Sequence, residues 1–187
     1  ALVVKTTLKK GETEISQHQA WDWGGRSTNP KGWNPASTVK LFSAVAALER
    51  LYENGMGVDT QVTFHYERED KTFSIKELME QSMHLSKNIP HNRLTQLAGF
   101  DRINGSRGTL QRVGLRDTYV QRAYAWDDWR AQGQPRSFRA TPPITLKDGD
   151  RSLRLKAQVG KAKTPCYSSA CTSISDLARM MCVMMFH

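Results

Sequence analysis

Past Glu80 the chain has no glutamate. The remaining 107 residues carry seven acidic side chains, all aspartate, against seventeen lysines and arginines. Residues 1–80 are nearly balanced, with ten basic and eleven acidic side chains. Long apolar runs are also lacking: none approaches the roughly 20 residues of a membrane helix, so no transmembrane segment is expected. Neither C-x-x-C nor H-E-x-x-H occurs, and His18, His65, His84, His91 and His187 are scattered. No metal centre and no cofactor are therefore expected. Cysteine is limited to Cys166, Cys171 and Cys182. The first two flank a short loop and either bridge in an oxidising compartment or stay reduced. Internal repeats and low-complexity segments are absent.

What is present describes a globular chain, with 39% hydrophobic and 24% charged residues over 187 positions. Before residue 32, "LVVKTTL" and "HQAWDW" are β-prone pieces separated by turn signals. From Ser37 the period changes, and Val39, Phe42, Val45, Ala46 and Leu48 fall at helical spacing up to Asn54-Gly55. "QVTFHY" predicts a short strand. "SIKELMEQSMHLS" predicts a helix opened by a capping box of Ser74 and Glu77. "PHNRLTQLAGF" predicts another, with Pro90 in its first turn and Gly99 past its end. "RINGSRGTLQRVGL" predicts a helix broken by its glycines. Residues 117–170 are long and irregular, with two short strands joined at Asp148-Gly149. A last apolar helix, "TSISDLARMMCVMMF", opens on Ser173 and Asp176.

The chemistry concentrates at "WNPASTVKLF", where Ser37 and Lys40 stand three apart at a helix start. That spacing puts both side chains on one helix face. A serine hydroxyl needs a base to become a nucleophile. Lysine serves only when neutral, so its ordinary value near 10.4 must be pulled down by desolvation, which Val39, Leu41 and Phe42 offer. The helix N-terminus adds partial positive charge where an oxyanion would form. About fifty residues later, "MHLSKNIPHNRLTQLAG" sets Ser86 and Asn88 as S-x-N on a connection between two helices. There a hydroxyl can relay a proton and a carboxamide can hold a substrate amide. Each motif alone reads first as something plainer: S-x-x-K as an N-cap serine followed by a surface lysine, S-x-N as a helix cap and an Asx-turn.

Taken together, S-x-x-K and S-x-N with these flanks resemble the serine β-lactamase and penicillin-binding-protein superfamily, most closely class A β-lactamase-like serine hydrolases. The similarity runs from about Trp33 to Gly99 and returns at "CTSISDLARMM". The resemblance implies an α/β (α+β) fold with a helical region inserted between N-terminal and C-terminal strands. It implies that Ser37 is the acylated nucleophile, Lys40 its general base and Ser86 the bridging hydroxyl. Asn88 would bind the substrate amide, and Asn92 would pack helices. The implied acyl donors are a β-lactam, a D-Ala-D-Ala peptide or an ester, and the implied location is periplasmic or secreted.

Three departures stand beside the resemblance. The family's deacylating glutamate has no counterpart after Glu80; Asp127 and Asp128 are the nearby carboxylates. The Lys/His-Thr/Ser-Gly strand motif is absent, since Lys163-Thr164 is followed by Pro165. The segment 117–170 is longer than the family's usual span. Residues 1–187 are therefore expected to form one domain that a separate C-terminal segment completes. Two other functions remain open: a non-catalytic penicillin-binding-like protein, and an anionic-polymer binder. The second would use Arg122, Arg130, Arg136 and Arg139 with Tyr119, Tyr124, Trp126 and Trp129. Asp127-Asp128 interrupts that patch, so nucleic acid is not the expected partner.

Overall fold

A computed structural model of the protein describes residues 2–7, 17–22, 32–124 and 138–186. Its centre is helix α1, Val39–Glu53. Val39, Leu41, Phe42, Ala44, Ala46, Ala47 and Leu51 are all buried, so the helix is covered on most sides rather than along one stripe. It stops at Asn54-Gly55, where Gly55 takes the left-handed conformation that glycine adopts without strain, with φ 64°. Against α1 lies α3, Asn88–Ala98, which buries Leu94, Leu97 and Ala98. The seam between them is partly polar: Thr95 Oγ1 lies 2.8 Å from Ser43 Oγ and 3.0 Å from the His91 carbonyl oxygen. Helix α2, Ile75–Met79, starts as the capping box predicts, with Ser74 Oγ accepting from the Glu77 amide. It widens into a π-helical turn over Glu80–His84 before the chain enters α3. The glycine-rich stretch after α3 yields two short helices, α4, Phe100–Asn104, and α5, Thr109–Arg112.

Residues 61–74 form a hairpin of β3, Gln61–His65, and β4, Asp70–Ser74. A second hairpin, β7, Ile144–Asp148, and β8, Arg151–Leu155, comes from the long irregular segment and joins β3 edge to edge. The antiparallel order is β4-β3-β7-β8. Val62, Phe64, Ile144 and Leu146 alternate onto the buried face. Asp148 fastens the added hairpin by accepting from the Gly57 amide and the Thr60 hydroxyl.

Smaller pairs complete the framework. β5, Tyr119–Val120, pairs with β10, Ala170–Cys171, and β6, Ala140–Thr141, with β9, Gln158–Val159. Trp33 and Thr172 exchange both backbone hydrogen bonds just before the Ser37 turn. Cys166 and Cys171 are bridged. Helix α6, Ile174–Phe186, has Ser173 Oγ accepting from the Asp176 amide. The Asp176 carboxylate accepts in turn from the Asp117 amide and the Thr118 hydroxyl, tying α6 to the chain entering β5. α6 rests against β1, Leu2–Thr7, which pairs with β2, Gln17–Asp22. Antiparallel sheets and helices thus form the mixed α/β fold expected.

The charge imbalance between the two halves is partly resolved in space. Glu49 and Glu53 on α1 meet Arg102 of α4 and Arg112 of α5. Other arginines cap backbone: Arg50 donates to the Leu97 and Ala98 carbonyls, and Arg139 to that of Ala162.

Candidate active site

Ser37 sits in a 3₁₀ turn, Ala36–Thr38, that runs directly into α1. The turn is built locally. Asn34 Oδ1 accepts from the Ala36 amide at 3.0 Å, and the Thr38 amide donates back to the Pro35 carbonyl at 3.1 Å. Ala36 is held at φ 47°, a left-handed conformation that costs an ordinary residue roughly 1–2 kcal/mol. Ser86 is the other residue of this kind, at φ 53°. These are the two non-glycine residues with positive φ among the described residues; Ala36 precedes Ser37, and Ser86 is itself a partner of Lys40. Such strain persists only where the surroundings impose it.

The left-handed turn at Ser86 aims its carbonyl and its hydroxyl at one point, and Lys40 Nζ fills that point. The amine donates to the Ser86 carbonyl, lies 2.9 Å from Ser86 Oγ and 3.3 Å from Ser37 Oγ. Lys40 is only 3% exposed, whereas Ser37 and Ser86 face solvent. Burial lowers the Lys40 pKa from its ordinary value by penalising the charged amine. Asn88 is the first residue of α3, two positions beyond Ser86, and is half-buried. Ser37, Lys40 and Ser86 therefore meet at the Lys40 amine, and Asn88 follows two residues beyond Ser86 at the start of α3.

Asn92 does something the sequence did not suggest. Instead of only packing helices, its carboxamide holds both backbone groups of Tyr124: Nδ2 donates to the carbonyl at 2.7 Å, and Oδ1 accepts from the amide at 2.9 Å. Tyr124 is thereby brought to the site, its ring centroid 5.6 Å from Lys40 Nζ. His91, fully buried on α3, stands edge-on to the same ring at 6.0 Å. Its pKa falls to about 3, first through burial and then through the positive charge of Lys40. The sequence marked Tyr124 only as part of a basic, aromatic patch and His91 not at all as a site residue; Tyr124 arrives through the tertiary contact that Asn92 makes, and His91 meets its ring from α3.

Asp127, Asp128, Trp126, Trp129, Arg130 and Arg136 lie outside the described residues. Arg122 stacks on Phe138, and Tyr119 donates to the Arg116 carbonyl. Thr164 donates to Gln121 Oε1 instead of lining the Ser37 cleft as a strand motif. No group of three metal-ligating side chains occurs among the described residues, and none of their helices is long and apolar enough to cross a membrane.

Comparison with known families gives a match to this region. The profile of Beta-lactamase2, the β-lactamase enzyme family, covers residues 27–181. The chain belongs to the β-lactamase enzyme family. That stretch takes in Ser37, Lys40, Ser86, Asn88 and the start of α6, so the family and the two short motifs refer to the same region. A β-lactamase-family domain supports a serine-hydrolase type of function in general. Among curated proteins and among solved structures no match was found.

Proposed function

We propose that this β-lactamase-family protein is a serine hydrolase that works by acyl transfer through Ser37, Lys40 and Ser86. The observation that carries the reading is the buried Lys40 amine, within hydrogen-bond distance of both serine hydroxyls. As a neutral amine it takes the Ser37 proton while Ser37 Oγ attacks the acyl carbonyl. The oxyanion forms next to backbone N–H groups at the α1 N-terminus, which favour negative charge. Ser86 passes a proton to the leaving nitrogen or oxygen, and water later hydrolyses the acyl ester on Ser37. Asn88 holds the substrate amide. The acyl donor is a β-lactam, a D-Ala-D-Ala peptide or an ester. The Cys166–Cys171 bridge favours a periplasmic or secreted location, where disulfides persist.

Intact-mass analysis after exposure to a fluorescent penicillin and to an activated ester tests this reading. With no glutamate after Glu80 to activate water, acylation should outpace deacylation and a covalent adduct should accumulate. Ser37→Ala should remove the adduct. Labelling that survives Ser37→Ala, or no labelling by either reagent, would sink the proposal.

A further inference from the structure

Three elements meet at the Lys40 amine, and only two of them bring hydroxyls to it. The Ser37 turn and the Ser86 connection supply the polar contacts. The third is the chain at 121–124, which supplies an aromatic ring. This contact is built rather than incidental. Tyr124 is held by two hydrogen bonds from one buried side chain, Asn92, which fixes its backbone to α3 while its side chain reaches toward α1. A loop residue anchored at both N–H and C=O cannot slide along the helix. The ring also closes against His91, which burial keeps uncharged.

We propose that Tyr124 is a positioning residue of the acyl-transfer site, its ring keeping water from the Lys40 amine. The proposal rests on the acyl-transfer reading and assigns its third wall. Two effects of the ring oppose each other. Its π-face attracts a cation and would favour protonated lysine, whereas its bulk displaces water and disfavours that form. At 5.6 Å the amine stands near the outer limit of about 6 Å for that attraction, which weakens it. Water exclusion from an amine that is already buried costs the charged form more. Desolvation therefore wins. The groups facing Lys40 are Ser37, Ser86, His91 and Tyr124, and no carboxylate among the described residues pairs with it.

The test follows Ser37 acylation by an activated ester from neutral to alkaline pH, with the Lys40 ε-carbon titrated in parallel by NMR on ¹³C-lysine-labelled protein. Lys40→Arg assigns the NMR signal. Tyr124→Ala should move both midpoints upward by about one pH unit, lowering acylation at neutral pH about tenfold. Tyr124→Phe should keep the original midpoints, since the ring and not the hydroxyl is at work. If Tyr124→Ala does not fold, Tyr124→Leu and Asn92→Ala should shift the midpoints in the same direction by less. A midpoint that stays put while the rate falls marks a merely structural residue and overturns the proposal. So does a downward shift, which would mean that the cation–π attraction dominates. If Ser37 accepts no acyl group from any donor, the acyl-transfer reading fails, while the NMR titration still decides what Tyr124 does to Lys40.

Discussion

The outer face of the sheet and the α1–α3 seam both set a hydroxyl beside a nitrogen base, in opposite surroundings. On the sheet, His65 Nε2 lies 2.8 Å from Thr145 Oγ1 while Nδ1 meets Asp70 at 2.9 Å, a hydroxyl–imidazole–carboxylate line. By residue type it resembles a catalytic triad. Yet the strands that carry it have ordinary conformations, Asp70 is largely exposed, and the line follows from register, Thr63 standing opposite both Thr72 and Thr145. At the seam the base is buried, its partners sit on strained turns, and the second imidazole, His91, is buried with no hydrogen-bond partner for Nδ1 among the described residues. Side-chain identity and a good hydrogen bond are common to both regions; what sets the seam apart is its buried base and its bent backbone. A base becomes reactive where water is excluded and the backbone is bent to aim the partner groups.

Removing each base should separate the two regions most sharply. Lys40→Met should slow Ser37 acylation by about 10²–10⁴-fold, the range spanned by general-base groups, as read by adduct formation over time. A loss below tenfold would place the base elsewhere. Wild-type acylation should also rise with pH through a midpoint below lysine's ordinary 10.5, because burial lowers the Lys40 pKa.

A smaller effect distinguishes the imidazoles through stability. Folded protein keeps His91 neutral down to about pH 3, whereas an unfolded chain protonates it near 6.5. Between those values the unfolded state binds the extra proton. The His91 contribution is therefore fully present above pH 6.5 and shrinks as pH falls, by about 1.4 kcal/mol per unit. Denaturant unfolding at pH 7 and pH 5 should differ by about 2 kcal/mol from this residue, and His91→Gln should remove that part of the difference. An unchanged pH dependence in His91→Gln would mean that His91 is protonated in the folded state.

Least of all should follow from the sheet. Thr145→Val keeps the side-chain shape, removes one part-buried hydrogen bond and should cost about 1 kcal/mol, with Ser37 labelling unchanged. Should it instead diminish ester hydrolysis while Ser37 labelling persists, the His65 line would be a second reactive centre and the contrast would collapse.

Much of this was legible beforehand because it depends on local rules. Helix α1 and its stop at Asn54-Gly55, the Ser74 cap, the hairpin after Asp148 and the Ser173 cap each follow from a few neighbouring residues. The pairing of Ser37 with Lys40 follows from helical spacing alone. Less legible was the start of α3, which takes in Asn88 two residues before Pro90. The joining of β7 to β3 was not legible at all, because strands about eighty residues apart announce no partner in their own periodicity.

By itself, then, the sequence determined which residue types could react and where helices would carry them: a serine and a lysine one turn apart, and a second serine with an asparagine at a helix entry. Tertiary structure decided whether they meet. The left-handed backbone at Ser86, the burial of Lys40 and the arrival of Tyr124 on the Asn92 carboxamide arise from contacts between residues 32 to 84 positions apart. Desolvation depends on everything packed around an atom, and no short stretch of chain encodes that surrounding.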